Sequence, residues 1–273
     1  MLDRARRPVG RPPRAIPQDQ AAGLRRLFAP PEPHWLPILL APGREAADPR
    51  WLAQFAGAWA EQGARTLVVD AARAQVGAAF GLRVRYDLAH AFNGDCRPAE
   101  VCVQASENLR ILPAARALDQ NRRGPEAAHR FEAGVRALAE GADCALLLLP
   151  TTHRAVLAGF SGAKGYSDVI VLAAAGPDAD SRVLEAIGAA LSAADIDTFR
   201  LLFQGMDSAC AGSLYSRVAA TAARGLGARL SDAGNVDDSS AIRRLVRVVR
   251  CRSTRGGERA RSDKRGTAVE TVS

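Results

Sequence analysis

The chain has 273 residues, 48% of them hydrophobic, and a formal net charge of +8, enough for one full α/β core and at most two domains. The charge lies at the ends: residues 1–34 hold seven arginines against three acids, residues from Arg243 onward hold nine arginines and one lysine against three acids, and residues 35–242 are net acidic. That distribution disfavours a folded body that tracks nucleic-acid phosphates, while leaving basic tails able to add salt-sensitive contact with nucleic acid or anionic lipid.

Residues 1–17 are rich in Arg and Pro, a composition that reads as a flexible arm. In 18–34, QDQAAGLRRLF places Ala21, Leu24, Leu27 and Phe28 at helical spacing, and PPEP at 30–33 then separates this short helix from the body. The body is expected over 35–250. There LPILL (36–40), TLVVD (66–70), LRILP (109–113), ALLLLP (145–150), DVIVLAAA (168–175) and FRLLF (199–203) read as strands buried on both faces. Helical stretches alternate with them at Pro49–Gln62, Glu126–Glu140, Asp180–Ala193 and Ala211–Gly225. The predicted fold class is α/β, a doubly wound and mostly parallel sheet with flexible basic tails. In 241–250, Ile242, Leu245, Val246 and Val249 share one helical face opposite Arg243, Arg244, Arg247 and Arg250, which suits a docked terminal helix or a basic helix lying on a membrane surface. Residues 251–273 read as a disordered basic tail.

Cys96, Cys102, Cys144, Cys210 and Cys251 form no CxxC pair and lie near no histidine pattern, so zinc and a disulfide framework are disfavoured and a reducing cytoplasm is expected. His34, His90, His129 and His153 show no ligand spacing; no metal site is expected. No apolar run approaches the roughly 18 residues of a membrane span, and no continuous apolar segment follows the N-terminal arginines. Gly159 and Ser161 fit part of a GxSxG pattern, but Ala163 replaces its second glycine, which removes the hydrolase reading.

In a sheet of this class the first strand-to-helix loop is the natural phosphate cradle. Here it reads APGREAADPRW (41–51), with Gly43 as its single glycine, Arg44 as its single cation before the helix, and no lysine. A phosphate loop needs glycines for backbone approach, a lysine for charge and a Ser or Thr for magnesium. The chain has only Lys164 and Lys264, and no GKS or GKT surrounds the first.

The stretches AEQGARTLVVDA (60–71), GLRVRYDLAHAFNGDCRPAEVCV (81–103), LRILPAARALD (109–119), LYSRVAATAARGLG (214–227) and GNVDDSSAIRRLVR (234–247) together resemble flagellar number regulators of the MinD/ParA type, the FlhG or FleN family. The resemblance spans about residues 35–250 and implies a P-loop NTPase-like fold with a degenerate nucleotide site. Counting back from EQG at 61–63, the family's phosphate-loop lysine falls on Asp48 and the following threonine on Pro49. Asp48 would repel phosphate, by about 4 kcal/mol for unit charges 4 Å apart at an effective dielectric near 20. It suits an N-cap, with Pro49 as first helical residue. The family's DAD is Asp70, Ala71, Ala72 here, and Leu148 stands where a later strand carries an Asp that supports magnesium and water. ATP and magnesium, cofactors of active members, are therefore not expected.

Asp19, Gln20, Ala21, Ala22, Gly23, Leu24 and Arg25 match the family's DQAxxLR segment. The resemblance implies that this segment stimulates an FlhF-like GTPase, a relative of the signal-recognition-particle GTPases. Gln20 would orient the attacking water, Arg25 would contact the partner, and Leu24 and Leu27 would anchor the helix. The expected protein is thus a cytoplasmic pseudo-ATPase regulating flagellar number, placement and biosynthesis. The resemblance implies homodimers bridged by ATP and peripheral association with the inner membrane or cell pole; loss of the nucleotide site weakens the first expectation, and the lack of an apolar repeat after Cys251 weakens the second. The competing readings are a divergent active ATPase relying on Arg44 and a partition-like nucleic-acid binder using its tails.

Overall fold

The structure is a computed structural model and describes residues 32–41, 49–120, 125–151, 153–160, 168–194 and 196–249. The expected N-terminal arm, the DQAxxLR helix and the tail beyond Cys251 lie outside the described residues. The strands are β1 (His34–Leu40), β2 (Thr66–Asp70), β3 (Val103–Ser106), β4 (Leu109–Pro113), β5 (Cys144–Pro150), β6 (Val169–Ala174), β7 (Thr198–Gln204) and β8 (Arg229–Asn235). They form an eight-stranded sheet in the order β3-β4-β2-β5-β1-β6-β7-β8. Neighbours pair in parallel except β3 with β4. The expected doubly wound α/β class is what the chain adopts.

The six apolar runs of the sequence are the six inner strands. The helices are α1 (Arg50–Ala60), α2 (Val76–Ala79), α3 (Leu88–Asn93), α4 (Ala115–Gln120), α5 (Pro125–Leu138), α6 (Arg154–Phe160), α7 (Ala179–Ala193), α8 (Ser208–Gly225) and α9 (residues 239–249). Strand side chains alternate between two cores. On one face Leu39, Val69, Leu147, Val171 and Leu201 pack with Phe131 of α5, Phe160 of α6, Ile187 of α7 and Val218 of α8. On the other, Leu36, Ile38, Val68, Leu146 and Leu148 pack with Phe55 and Trp59 of α1 and with α9.

The structure decides between the two readings of the last helix. Ile242, Leu245, Val246 and Val249 are all buried in the second core, while Arg243, Arg244 and Arg247 are exposed. The apolar stripe is consumed by the sheet, so it offers no face to a bilayer.

One charged pair sits inside the second core. Asp168, just before β6, and Arg200 of β7 are 0% and 6% exposed, and Arg200 Nε donates to Asp168 Oδ1 at 2.9 Å. Arg200→Met removes that guanidinium and leaves a carboxylate in low dielectric, so stability is expected to fall by about 3–5 kcal/mol, read from urea midpoints.

His34 opens β1 near this pair and stacks on Trp59 with ring centroids 6.5 Å apart. Burial lowers its pKa below the ordinary 6.5, and the Asp168 charge opposes that shift only in part. The unfolded chain therefore takes up the proton more readily than the folded one. The contribution is complete above pH 6.5 and is lost as pH falls through that value toward the folded pKa. His34→Gln is expected to flatten this part of the stability profile, measured as urea midpoints between about pH 7.5 and pH 5.

Candidate functional site at the carboxyl edge of the sheet

β1 and β5 lie side by side, yet the chain leaves them in opposite directions. From β1 it crosses by α1 on the second-core face to β2; from β5 it crosses by α6 on the first-core face to β6. Such a switch point opens a crevice beyond the carboxyl ends of the strands, here where Leu40 is in register with Pro150. Gly43, Arg44 and Asp48 of the intervening loop lie outside the described residues, as do Asp19, Gln20, Ala21, Leu24 and Arg25. Pro49 is described. The sequence placed it as the first helical residue, whereas α1 begins at Arg50 and Pro49 holds the N-cap position. The difference is one residue because proline's fixed φ already gives it helical angles (φ −73°, ψ −8°), and its carbonyl accepts from Ala53 N–H at 3.0 Å.

Asp70 ends β2 directly opposite Leu148 of β5, and Leu148 is flanked on its other side by Ile38 of β1. Leu148 is buried among apolar side chains of the second core. Its methyl groups offer no donor or acceptor, so Asp70 has an apolar neighbour where the resemblance would place a second carboxylate. The Asp70 carboxylate turns instead to its own loop: Oδ1 accepts from Ala74 N–H at 3.0 Å and Oδ2 from Val76 N–H at 3.1 Å. Arg73 (φ 57°) and Gln75 (φ 54°) adopt left-handed backbone, which curls these amides back onto the carboxylate. Burial pushes the Asp70 carboxyl above the usual range and the loop amides hold it down in part. Arg73 also pairs with Asp119 of α4.

A further carboxylate, not singled out from the sequence, organises the neighbouring rim. Asp87 caps α3 through Oδ1, which accepts from Ala89 N–H at 2.9 Å. The same oxygen accepts from Ala117 N–H at 3.0 Å, and Oδ2 accepts from Arg116 N–H at 3.1 Å. One buried side chain thus satisfies the amino ends of two helices. An Asp before LAHAF is a readable N-cap signal, but its second set of partners arrives 29 and 30 residues later and is set by tertiary packing.

No family model matches the chain, and no curated protein matches it. Among solved structures, the MinD cell division protein of Aquifex aeolicus is similar at 15% identity and TM-score 0.56, covering 79% of this chain and 96% of that one. The chain has the MinD/ParA fold. Cobyrinic acid a,c-diamide synthase of Mycobacterium smegmatis, solved with ADP and magnesium, matches at 19% identity and TM-score 0.56 over 78% of this chain and 92% of its own. A plasmid partition protein of Borrelia burgdorferi matches at 11% identity and TM-score 0.57 over 80% and 99%. Against a MinD/ParA fold, the carboxyl edge described here is built from Asp70, Leu148 and the Asp87 cap. Among the described residues no three His, Cys, Asp or Glu side chains are grouped to hold a metal, and no helix is long and apolar enough to cross a membrane.

Proposed function

We propose that this protein is a non-hydrolysing member of the flagellar-regulator branch of the MinD/ParA fold, which stimulates an FlhF-like GTPase through its N-terminal DQAxxLR segment. The observation that carries the first half is the Asp70–Leu148 register. A magnesium-bound triphosphate at this edge needs carboxylates open to metal and water, whereas one position is a buried leucine and the other carboxylate is occupied by its own loop. Asp48 and Pro49 in place of a phosphate-loop lysine and threonine point the same way. The second half rests on the match of Asp19, Gln20, Ala21, Leu24 and Arg25 to the activator segment.

On this reading the body is a scaffold and the reacting groups are supplied to the partner's GTP. Glutamine and arginine delivered in trans suit phosphoryl transfer to water, which gains most from positioning and charge stabilisation. Control of flagellar number, placement and biosynthesis follows from the partner's nucleotide cycle, and ATP-driven dimerisation is not required. The test is GTP turnover by an FlhF-like GTPase with this chain added, with and without ATP, beside direct titration of ATP and magnesium into the chain alone. Equal stimulation in both conditions, with no ATP binding, is expected. Magnesium-dependent ATP hydrolysis by the chain without any effect on the GTPase would overturn the proposal.

A further inference from the structure

In nucleotide switches, loops at the carboxyl edge are ordered by contacts with a bound phosphate and relax when it leaves. In this chain the corresponding edge over β2 and β4 is tied together by three of its own carboxylates. Asp70 closes the loop after β2 on the amides of Ala74 and Val76. Arg73, carried on that loop, reaches across to Asp119 on α4. Asp87 joins the start of α3 to the start of α4 through Ala89, Arg116 and Ala117. The three ties form a continuous chain of connections from β2 through its loop to α4 and back to α3.

We infer that the rim formed by residues 70–76, 87–90 and 114–119 is a constitutively ordered surface, fixed from within by Asp70, Asp87 and Asp119, whose conformation is unchanged by nucleotide. Bistability in a switch requires two arrangements of comparable free energy, with the ligand favouring one. Here the amides of Ala74, Val76, Ala89, Arg116 and Ala117 already have internal acceptors, and leaving that arrangement would strand the buried Asp70 and Asp87 carboxylates. The rim therefore has one state, and any partner that reads this edge meets the same surface at every nucleotide level. This inference goes beyond the proposed function, because it concerns the shape of the rim whether or not ATP binds.

Amide-resolved hydrogen exchange on the full chain tests it. In wild type the amides of Ala74, Val76, Ala89, Arg116 and Ala117 are expected to exchange at least about a hundredfold more slowly than in an unfolded chain, with no change on adding ATP and magnesium. Asp87→Ala is expected to release Ala89, Arg116 and Ala117 together. Asp87→Asn keeps Oδ1 as an acceptor and is expected to release Arg116 selectively, while amides of β5, β6 and β7 report that the fold persists. Fast exchange of the rim in wild type, or new protection there when ATP is added, would overturn the inference. If ATP binds while rim exchange stays the same, the inference stands and the non-hydrolysing, nucleotide-free reading above is the one in question.

Discussion

Leu148→Asp is expected to bring the protein close to unfolding at room temperature. The new carboxylate would sit in the second core, in register with Asp70 one strand away. Strands are about 4.8 Å apart, and two like charges at about 5 Å repel by roughly 3 kcal/mol at an effective dielectric near 20. Loss of the buried leucine removes about 2–3 kcal/mol more, and desolvation of the carboxylate adds a cost of similar size unless one of the pair takes up a proton. The sum approaches the roughly 5–15 kcal/mol that holds a typical domain together. Leu148→Met, which keeps volume and apolarity, should cost under about 1.5 kcal/mol. Urea denaturation of the two variants measures the contrast. A folded Leu148→Asp protein that binds magnesium and ATP would show that the edge is still laid out for nucleotide.

The largest functional effect is expected at Gln20. Removing a single group that positions charge or water in a transition state costs about 10²–10³ in rate, so Gln20→Ala should return the partner's GTP turnover to its basal value. Under the proposed function, binding to the partner should survive, because the side chain would act on the reacting water and not on the docking surface. Leu24→Ala should show the reverse pattern: about 2 kcal/mol of apolar contact is lost, the concentration for half-maximal stimulation rises roughly thirtyfold, and the maximal rate at saturation is retained. Equal loss of binding in both variants would assign Gln20 to docking.

The inner strands were legible because each is a short apolar run bounded by turn residues, and helices on both faces require that pattern. The edges were not. β8 reads RLSDAGN, a poor strand sequence by composition, and β7 is its one strand neighbour in the sheet. β3, VQAS, is four residues long and alternates between half-buried and exposed positions. The short helices α2, α3, α4 and α6 carry too few turns for periodicity to stand out. At the site, Leu148 could be read by its position in ALLLLP and Asp70 by its place at the end of TLVVD. The use of Asp70 as an internal acceptor could not, because it depends on left-handed backbone at Arg73 and Gln75, two residue types that rarely adopt it. The Asp168–Arg200 pair was hidden for a related reason: its members lie 32 residues apart and meet only when β6 and β7 align.

The central position of β1 has a consequence for how the chain is made. His34 pairs with Cys144 and Ile38 with Ile170, so β1 leaves the ribosome with no neighbour in the sheet until β5 and β6 have followed. At about 5–20 residues per second, an apolar segment that belongs in the middle of the sheet waits roughly 5–20 s in the nascent chain. The wait is longer still for the second core as a whole, which includes side chains of the helix at 239–249. A stalled or truncated product lacking that helix would leave the second core short of Ile242, Leu245, Val246 and Val249 and be drawn to chaperones or aggregates, so this core closes only after residues 239–249 have been made.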